Sequence, residues 1–283
     1  MAQLLKGLAV ANALTEVLAE RAAALTAKKV MPTLAILRVG QRSDDISYET
    51  GAMKRCAKVG IAVRHFLLDA DCTKEELLDT IRIINEDASI HGCLMFRPLP
   101  DRAMEEAACA LLKPEKDVDC MTGQSLAAVF TGKGAGYPPC TAEGCLELLD
   151  YYQIPLEGKR VAVIGRSLVI GRPVSMMLQA RNATVTMCHT KTVNMAEICR
   201  NAEILVVAAG KAGVVDSTFA APGQIVVDVG INVNAEGKLC GDVNFEDVEP
   251  IVDAITPVPG GVGSVTTAVL AKHVIEAAEK TVE

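Results

Sequence analysis

The spacing of short apolar runs constrains this chain more than any other feature. Seven such runs stand out: Thr33–Val39, Val63–Leu68, Gly92–Phe96, Arg160–Ile164, Thr184–Cys188, Ile204–Ala208 and Ile225–Val229. Most are almost continuously apolar, the pattern of a strand covered on both faces. Stretches with helical spacing separate them, at about 8–25, 44–58, 73–86, 173–180 and 195–199. Gly60 stops the second of these, and Thr73 with Glu76 forms a capping box that opens the third. Strands joined through helices pair in parallel, so the chain is α/β. The first three runs and the last four are separated by a turn-rich region, 114–139, with a short helix predicted near Ser125–Phe130. This predicts two domains, an N-terminal α/β domain over 1–140 and a Rossmann-like dinucleotide-binding domain over 141–264. A helix at about 141–151 leads into the second, and a last helix, within 265–283, packs back on the first.

Composition sets what such a chain can do. Hydrophobic residues make up 50% of the 283 and charged residues 22%, which suffices for a sizeable core. There is no Trp, and aromatic residues make up 3%, so that core is built from Ala, Val, Ile, Leu and Met. The formal charge of −7, with no long basic run, argues against nucleic acid as a partner. No stretch of about 18 apolar residues suggests a membrane span, and the N-terminus does not read as a signal peptide; the expectation is a cytoplasmic protein. The ten cysteines are scattered, with no Cys-x-x-Cys pair, which predicts buried thiols in a reducing compartment and no metal site.

Two glycine-rich loops carry the chemistry. Gly165-Arg166-Ser167-Leu168-Val169-Ile170-Gly171-Arg172-Pro173 lies between a strand pattern and a helix pattern. There a helix N-terminus presents unpaired N–H groups and a partial positive charge to a pyrophosphate. The predicted nucleotide contacts are Gly165, Arg166, Ser167 and Gly171. Ser167 stands where the commonest dinucleotide fingerprint has its second glycine. An NAD enzyme usually places an acid at the end of the next strand, but here the sequence is Cys188-His189-Thr190-Lys191. Arg166, Thr190 and Lys191 suit a 2′-phosphate, so NADP is favoured and NAD stays open. The second loop, Ile255-Thr256-Pro257-Val258-Pro259-Gly260-Gly261-Val262-Gly263, is rigid and shaped for close backbone approach to something flat.

Together with Gly92–Met95, Pro114–Asp119, Pro139–Gly144 and Asp228–Asn232, these loops resemble the methylenetetrahydrofolate dehydrogenase/cyclohydrolase family along nearly the whole chain. The resemblance implies a two-domain α/β fold with a cleft between the domains, and a homodimer. It implies oxidation of 5,10-methylenetetrahydrofolate by NAD(P), followed by hydrolysis of the methenyl product to 10-formyltetrahydrofolate, within one-carbon metabolism. The N-terminal domain would hold the folate. Tyr48 and Asp119 would be its catalytic and substrate-binding residues, with Pro259, Gly260 and Gly261 also near the substrate. Ile231 would join the cofactor contacts.

The sequence departs from the family at one place in particular. The family helix carries Tyr-x-x-x-Lys, and here Tyr48 is followed four residues later by Ala52. A Ser precedes that Tyr by three in the family, where this chain has Asp45. The Gln that ends the third strand is Phe96, and the Gly after Asp119 is Cys120. Lys54 is no substitute, because positions 52 and 54 lie about 200° apart around a helix. Water activation needs a proton shuttle, whereas hydride transfer mainly needs two rings held in place. The pattern therefore predicts a dehydrogenase with impaired cyclohydrolase. A bifunctional enzyme with another shuttle and a non-catalytic folate- or nucleotide-binding paralogue are the alternatives.

Overall fold

The apolar runs pair side by side as parallel strands in the computed structural model, which describes residues 1–282. The chain opens with β1 (Gln3–Leu4) and α1 (Gly7–Ala27). Next come β2 (Thr33–Val39), α2 (Ser43–Val59), β3 (Ala62–Leu68), α3 (Lys74–Glu86), β4 (Gly92–Met95), α4 (Arg102–Leu111) and α5 (Gly123–Thr131). The three longer strands form a parallel sheet in the order β3-β2-β4. All seven residues of β2 are buried, as its continuous apolar run requires. The capping box is formed at α3, where Thr73 Oγ1 accepts the Glu76 N–H and Glu76 Oε2 accepts the Thr73 N–H at 2.7 Å. Asp101 caps α4, which the apolar spacing did not reveal.

The second half continues with α6 (Cys140–Tyr151), β5 (Arg160–Ile164), α7 (Gly171–Ala180), β6 (Thr184–Cys188), α8 (Met195–Arg200), β7 (Ile204–Val207) and β8 (Ile225–Asp228). A hairpin of β9 (Asn232–Val233) and β10 (Leu239–Cys240) follows, then α9 (Phe245–Val248), β11 (Ala254–Ile255) and α10 (Thr266–Glu279). One six-stranded parallel sheet has the order β1-β11-β8-β7-β5-β6. Of the expected helix 265–283, Glu283 lies outside the described residues.

The contacts divide the chain into two compact units, one made of residues 12–140 with Thr267 onward and one of Met1–Ala11 with Thr141–Thr266. The N-terminus thus joins residues 141–266, where the sequence boundary places it with residues 1–140. The reason is β1, which pairs Gln3 with Ala254 and Leu4 with Ile255. A two-residue strand has no period to read. Among the described residues, no helix is long and apolar enough to cross a membrane, and no three His, Cys, Asp or Glu side chains cluster as metal ligands. None of the ten cysteines is in a disulfide.

Candidate active site

In the nucleotide unit, the buried residues of β5 deliver the chain to Gly165, whose φ is +125°. A Cβ on Gly165 would lie 2.1 Å from the carbonyl oxygen of Ala208, just past the neighbouring strand β7. Gly171 opens α7, and a Cβ there would lie 2.2 Å from Gly165 O and 2.8 Å from Arg166 N. The loop therefore closes on its own backbone, and Gly171 is required by that closure. Ser167 Oγ accepts the Ile170 N–H at 3.1 Å, and the Arg172 N–H donates to Ser167 O at 3.0 Å. No side chain caps α7, and Arg166 and Ser167 are exposed beside its first turn. A tight loop before an uncapped helix N-terminus fits an anionic diphosphate. Ile164 pairs with Cys188 across the sheet, and the Gly165 N–H donates to Cys188 O. His189, Thr190 and Lys191 thus emerge beside this loop, with Thr190 and Lys191 exposed.

The second loop lines a cavity of about 240 Å³ together with Ile231 and Leu239, which brings Ile231 to Pro259, Gly260 and Gly261. Two buried carboxylates, to which the sequence analysis assigns no role, hold the surrounding loops. Asp242 accepts the N–H groups of Ala209, Gly210 and Lys211 at 2.6–2.8 Å and the Asn232 side-chain amide at 2.8 Å. Asp228, at the end of β8, accepts the N–H groups of Gly230, Asp242 and Val243. Burial pushes the Asp228 carboxyl up to about 6, against the pull of those three donors. A Cβ at Gly241 would sit 1.8 Å from Asp228 Oδ2, so only glycine lets this backbone pass. An acid after a glycine in a short hairpin is an unremarkable signal until the fold surrounds it with donors.

In the unit of residues 12–140 with Thr267 onward, α2 buries Asp45, Glu49, Ala52, Cys56 and Val59, and leaves Lys54 exposed. Ala52 is 1% exposed and Tyr48 is half-buried. The Tyr48 ring meets Phe96 edge to face, with centroids 6.1 Å apart. Asp45 is paired with Arg42 at 2.9 Å, and the same guanidinium donates to Pro98 O at 2.9 Å. Behind Tyr48, Glu49 joins Arg38 at 2.7 Å and His65 at 3.1 Å. The segment bearing Asp119 runs beside β4 through a parallel bridge between Cys93 and Asp117. Asp119 is half-buried, and loss of hydration pushes its carboxyl up from the ordinary value, against a hydrogen bond from the Cys140 N–H at 3.0 Å.

Family models match both parts. Residues 5–119 match the catalytic domain of tetrahydrofolate dehydrogenase/cyclohydrolase, and residues 139–282 match the NAD(P)-binding domain of the same enzymes. The chain belongs to the tetrahydrofolate dehydrogenase/cyclohydrolase family. It is similar to the bifunctional protein FolD of Carboxydothermus hydrogenoformans, 50% identical over 99% of this chain and 98% of that one. The Clostridioides difficile protein of the same name is 47% identical, over 97% of this chain and 96% of its own. Among solved structures, the Campylobacter jejuni bifunctional enzyme FolD superposes with a TM-score of 0.95 at 37% identity, over 99% of this chain and 100% of that one. The Trypanosoma brucei dehydrogenase-cyclohydrolase, solved with NADP and an inhibitor, gives 0.92 at 34%, over 100% and 99%. The expected two-domain α/β fold and NAD(P) as cofactor stand with this membership, as does the assignment to an NAD(P)-dependent dehydrogenase.

Cys120 has φ +57°, the left-handed region that glycine occupies without strain.

Proposed function

We propose that this enzyme oxidises 5,10-methylenetetrahydrofolate to the methenyl compound, prefers NADP to NAD, and hydrolyses the methenyl product poorly. One observation carries the last part: Ala52 is buried and Phe96 faces Tyr48, so the family's proton-moving Lys and its Gln partner have no counterpart in place. The nicotinamide nucleotide supplies the hydride acceptor when bound. The chain's own part is to hold and orient. Gly165, Arg166, Ser167 and Gly171 would take the diphosphate, and Arg166, Thr190 and Lys191 the 2′-phosphate. Pro259, Gly260, Gly261 and Ile231 would wall the ring site, which the cavity beside them supports. Tyr48 would orient the folate, and Asp119 would hydrogen-bond its pterin edge. As the C–H bond of the one-carbon bridge gives up its electron pair, a folate nitrogen lone pair closes the C=N bond, so no protein base is needed.

Hydrolysis differs, because water must lose a proton as it attacks. Neither an alanine nor a phenylalanine can take one. A second reading, a bifunctional enzyme with another shuttle, is favoured by the names of relatives as much as 50% identical. A coupled assay with either nucleotide decides between them. Nucleotide reduction with methenyltetrahydrofolate building up supports the proposal; release of 10-formyltetrahydrofolate well above the spontaneous rate refutes it. Reduction of neither nucleotide would leave a non-catalytic binding protein. The folate resemblance also leads us to propose a cytoplasmic homodimer, which sedimentation velocity tests.

A further inference from the structure

Asp119 sits on an unusual piece of backbone. The residue after it, Cys120, carries a side chain at φ +57°, a conformation that persists only where surrounding contacts over-determine it. Those contacts are on either side of Val118. On its side-chain face, Val118 fills the space that a Cβ on Gly92 would occupy, 2.6 Å from Val118 Cγ1. On its carbonyl face, two groups converge. His273 Nδ1 lies 2.8 Å from Val118 O, and Cys140 Sγ lies 3.3 Å from the same oxygen. A carbonyl only accepts, so the imidazole carries its proton on Nδ1 and both groups donate. The same Cys140 gives its backbone N–H to Asp119 Oδ1 at 3.0 Å. His273 is fully buried on α10, and its ring lies against Tyr137, with centroids 5.0 Å apart.

We propose that His273 is a positioning residue for Asp119, acting with Cys140 by clamping the Val118 carbonyl so that the strained turn at Cys120 holds the carboxyl in one place. This rests on the folate-binding reading of Asp119 given above. Neither His273 nor Cys140 need touch the substrate. Their effect passes through the 118–120 backbone, so it should appear in folate binding and leave the nucleotide half untouched.

His273→Leu removes the donor and His273→Asn keeps one near the place of Nδ1. Losing one buried hydrogen bond predicts a rise of about 3- to 10-fold in the KM for methylenetetrahydrofolate in His273→Leu, with the KM for NADP unchanged. His273→Asn should return the folate KM to within about twofold of wild type. Cys120→Gly, which relieves the turn, should recover part of the loss when added to His273→Leu. Combined with Asp119→Asn, His273→Leu should add little, because the group it positions is already gone. A lowered Tm with unchanged folate KM, or full additivity with Asp119→Asn, overturns the proposal. An NMR titration of the Cys140 amide, which is bonded to the Asp119 carboxyl, gives a readout independent of turnover. Its pH-dependent shift should change in His273→Leu and return in His273→Asn, and an identical titration in all three proteins also overturns the proposal. Wild type that reduces neither nucleotide would refute the dehydrogenase reading alone, since the amide titration still decides the role of His273.

Discussion

The nucleotide unit and the folate unit would bring different things to the proposed chemistry. The first keeps a loop closed on Gly165 and Gly171, an uncapped helix start and a cavity walled by Pro257–Ser264. The second has Tyr48 edge to face with Phe96, a buried Ala52 beneath it on the same helix, and Asp119 just before a left-handed turn at Cys120. The lesson is that the two steps need different things from a protein. Hydride transfer requires placement, which backbone shape and packing provide. Hydrolysis requires a side chain that exchanges a proton.

The largest expected effect tests that contrast directly. General acid–base help is worth about 10²- to 10⁴-fold, so hydrolysis should lie that far below what a Lys-bearing site achieves. The pair Ala52→Lys with Phe96→Gln should restore methenyl hydrolysis more than either change alone. Ala52 is only 1% exposed, so a lysine placed there by itself enters a buried space without its Gln partner. Equal hydrolysis in the single and paired variants would break the comparison.

On the nucleotide side, Gly171→Leu should weaken NADP binding by at least about tenfold to a hundredfold. The side chain would overlap Gly165 O and reopen the loop, an overpacking cost of about 1–3 kcal/mol. Calorimetric titration with NADP checks this, and wild-type affinity in a folded variant would remove the loop from the site. Arg166→Ala should reduce the NADP preference by about tenfold to a hundredfold while sparing NAD, the worth of a charge-assisted contact to phosphate. Steady-state kinetics with both nucleotides reads it, and an outright NAD preference in wild type would contradict the roles given to Arg166, Thr190 and Lys191.

The smallest effect is a difference of sign between the units. Asp228 has its carboxyl pushed up to about 6 from an ordinary value of 3.8, so the folded state binds its proton more tightly than the unfolded chain. Its contribution is fully present below about pH 4 and is lost as pH rises through 6, on the order of 1 kcal/mol of it between pH 5 and 7. In the folate unit, burial pushes the His91 imidazole below 6.5, with Lys116 adding to it, and its Nδ1 accepts the Thr33 N–H. Stability from His91 is therefore present above 6.5 and falls as pH drops below it. Hydrogen exchange at pH 5 and 7, corrected for intrinsic rates, should show the 228–243 loops better protected at pH 5 and the Thr33–His91 contact better protected at pH 7. A common direction in both units would show that other groups govern this range.

Several parts of the site were legible before any fold was known. Lys54 could be set aside from helical spacing alone, and it is exposed while Ala52 is buried. The capping box at Thr73 was readable because its two partners are three residues apart. The Asp228–Asp242 pair was not. Its donors come from segments as far apart in sequence as Ala209 and Val243, and no local pattern marks them. Nor was β1, whose partner lies some 250 residues away. The Val118 clamp also depends on an oxygen reached from α10, 155 residues further on.

The sequence by itself determined the seven longer strands, most of the helices between them and the two glycine loops, because each is written in residues close along the chain. Only the tertiary structure decided which unit takes the N-terminus, why Gly171 must be a glycine, and which groups meet at the Val118 carbonyl. Those depend on backbone groups meeting across the fold, where a distance of 2 or 3 Å is fixed by packing and carries no signature in the order of the residues.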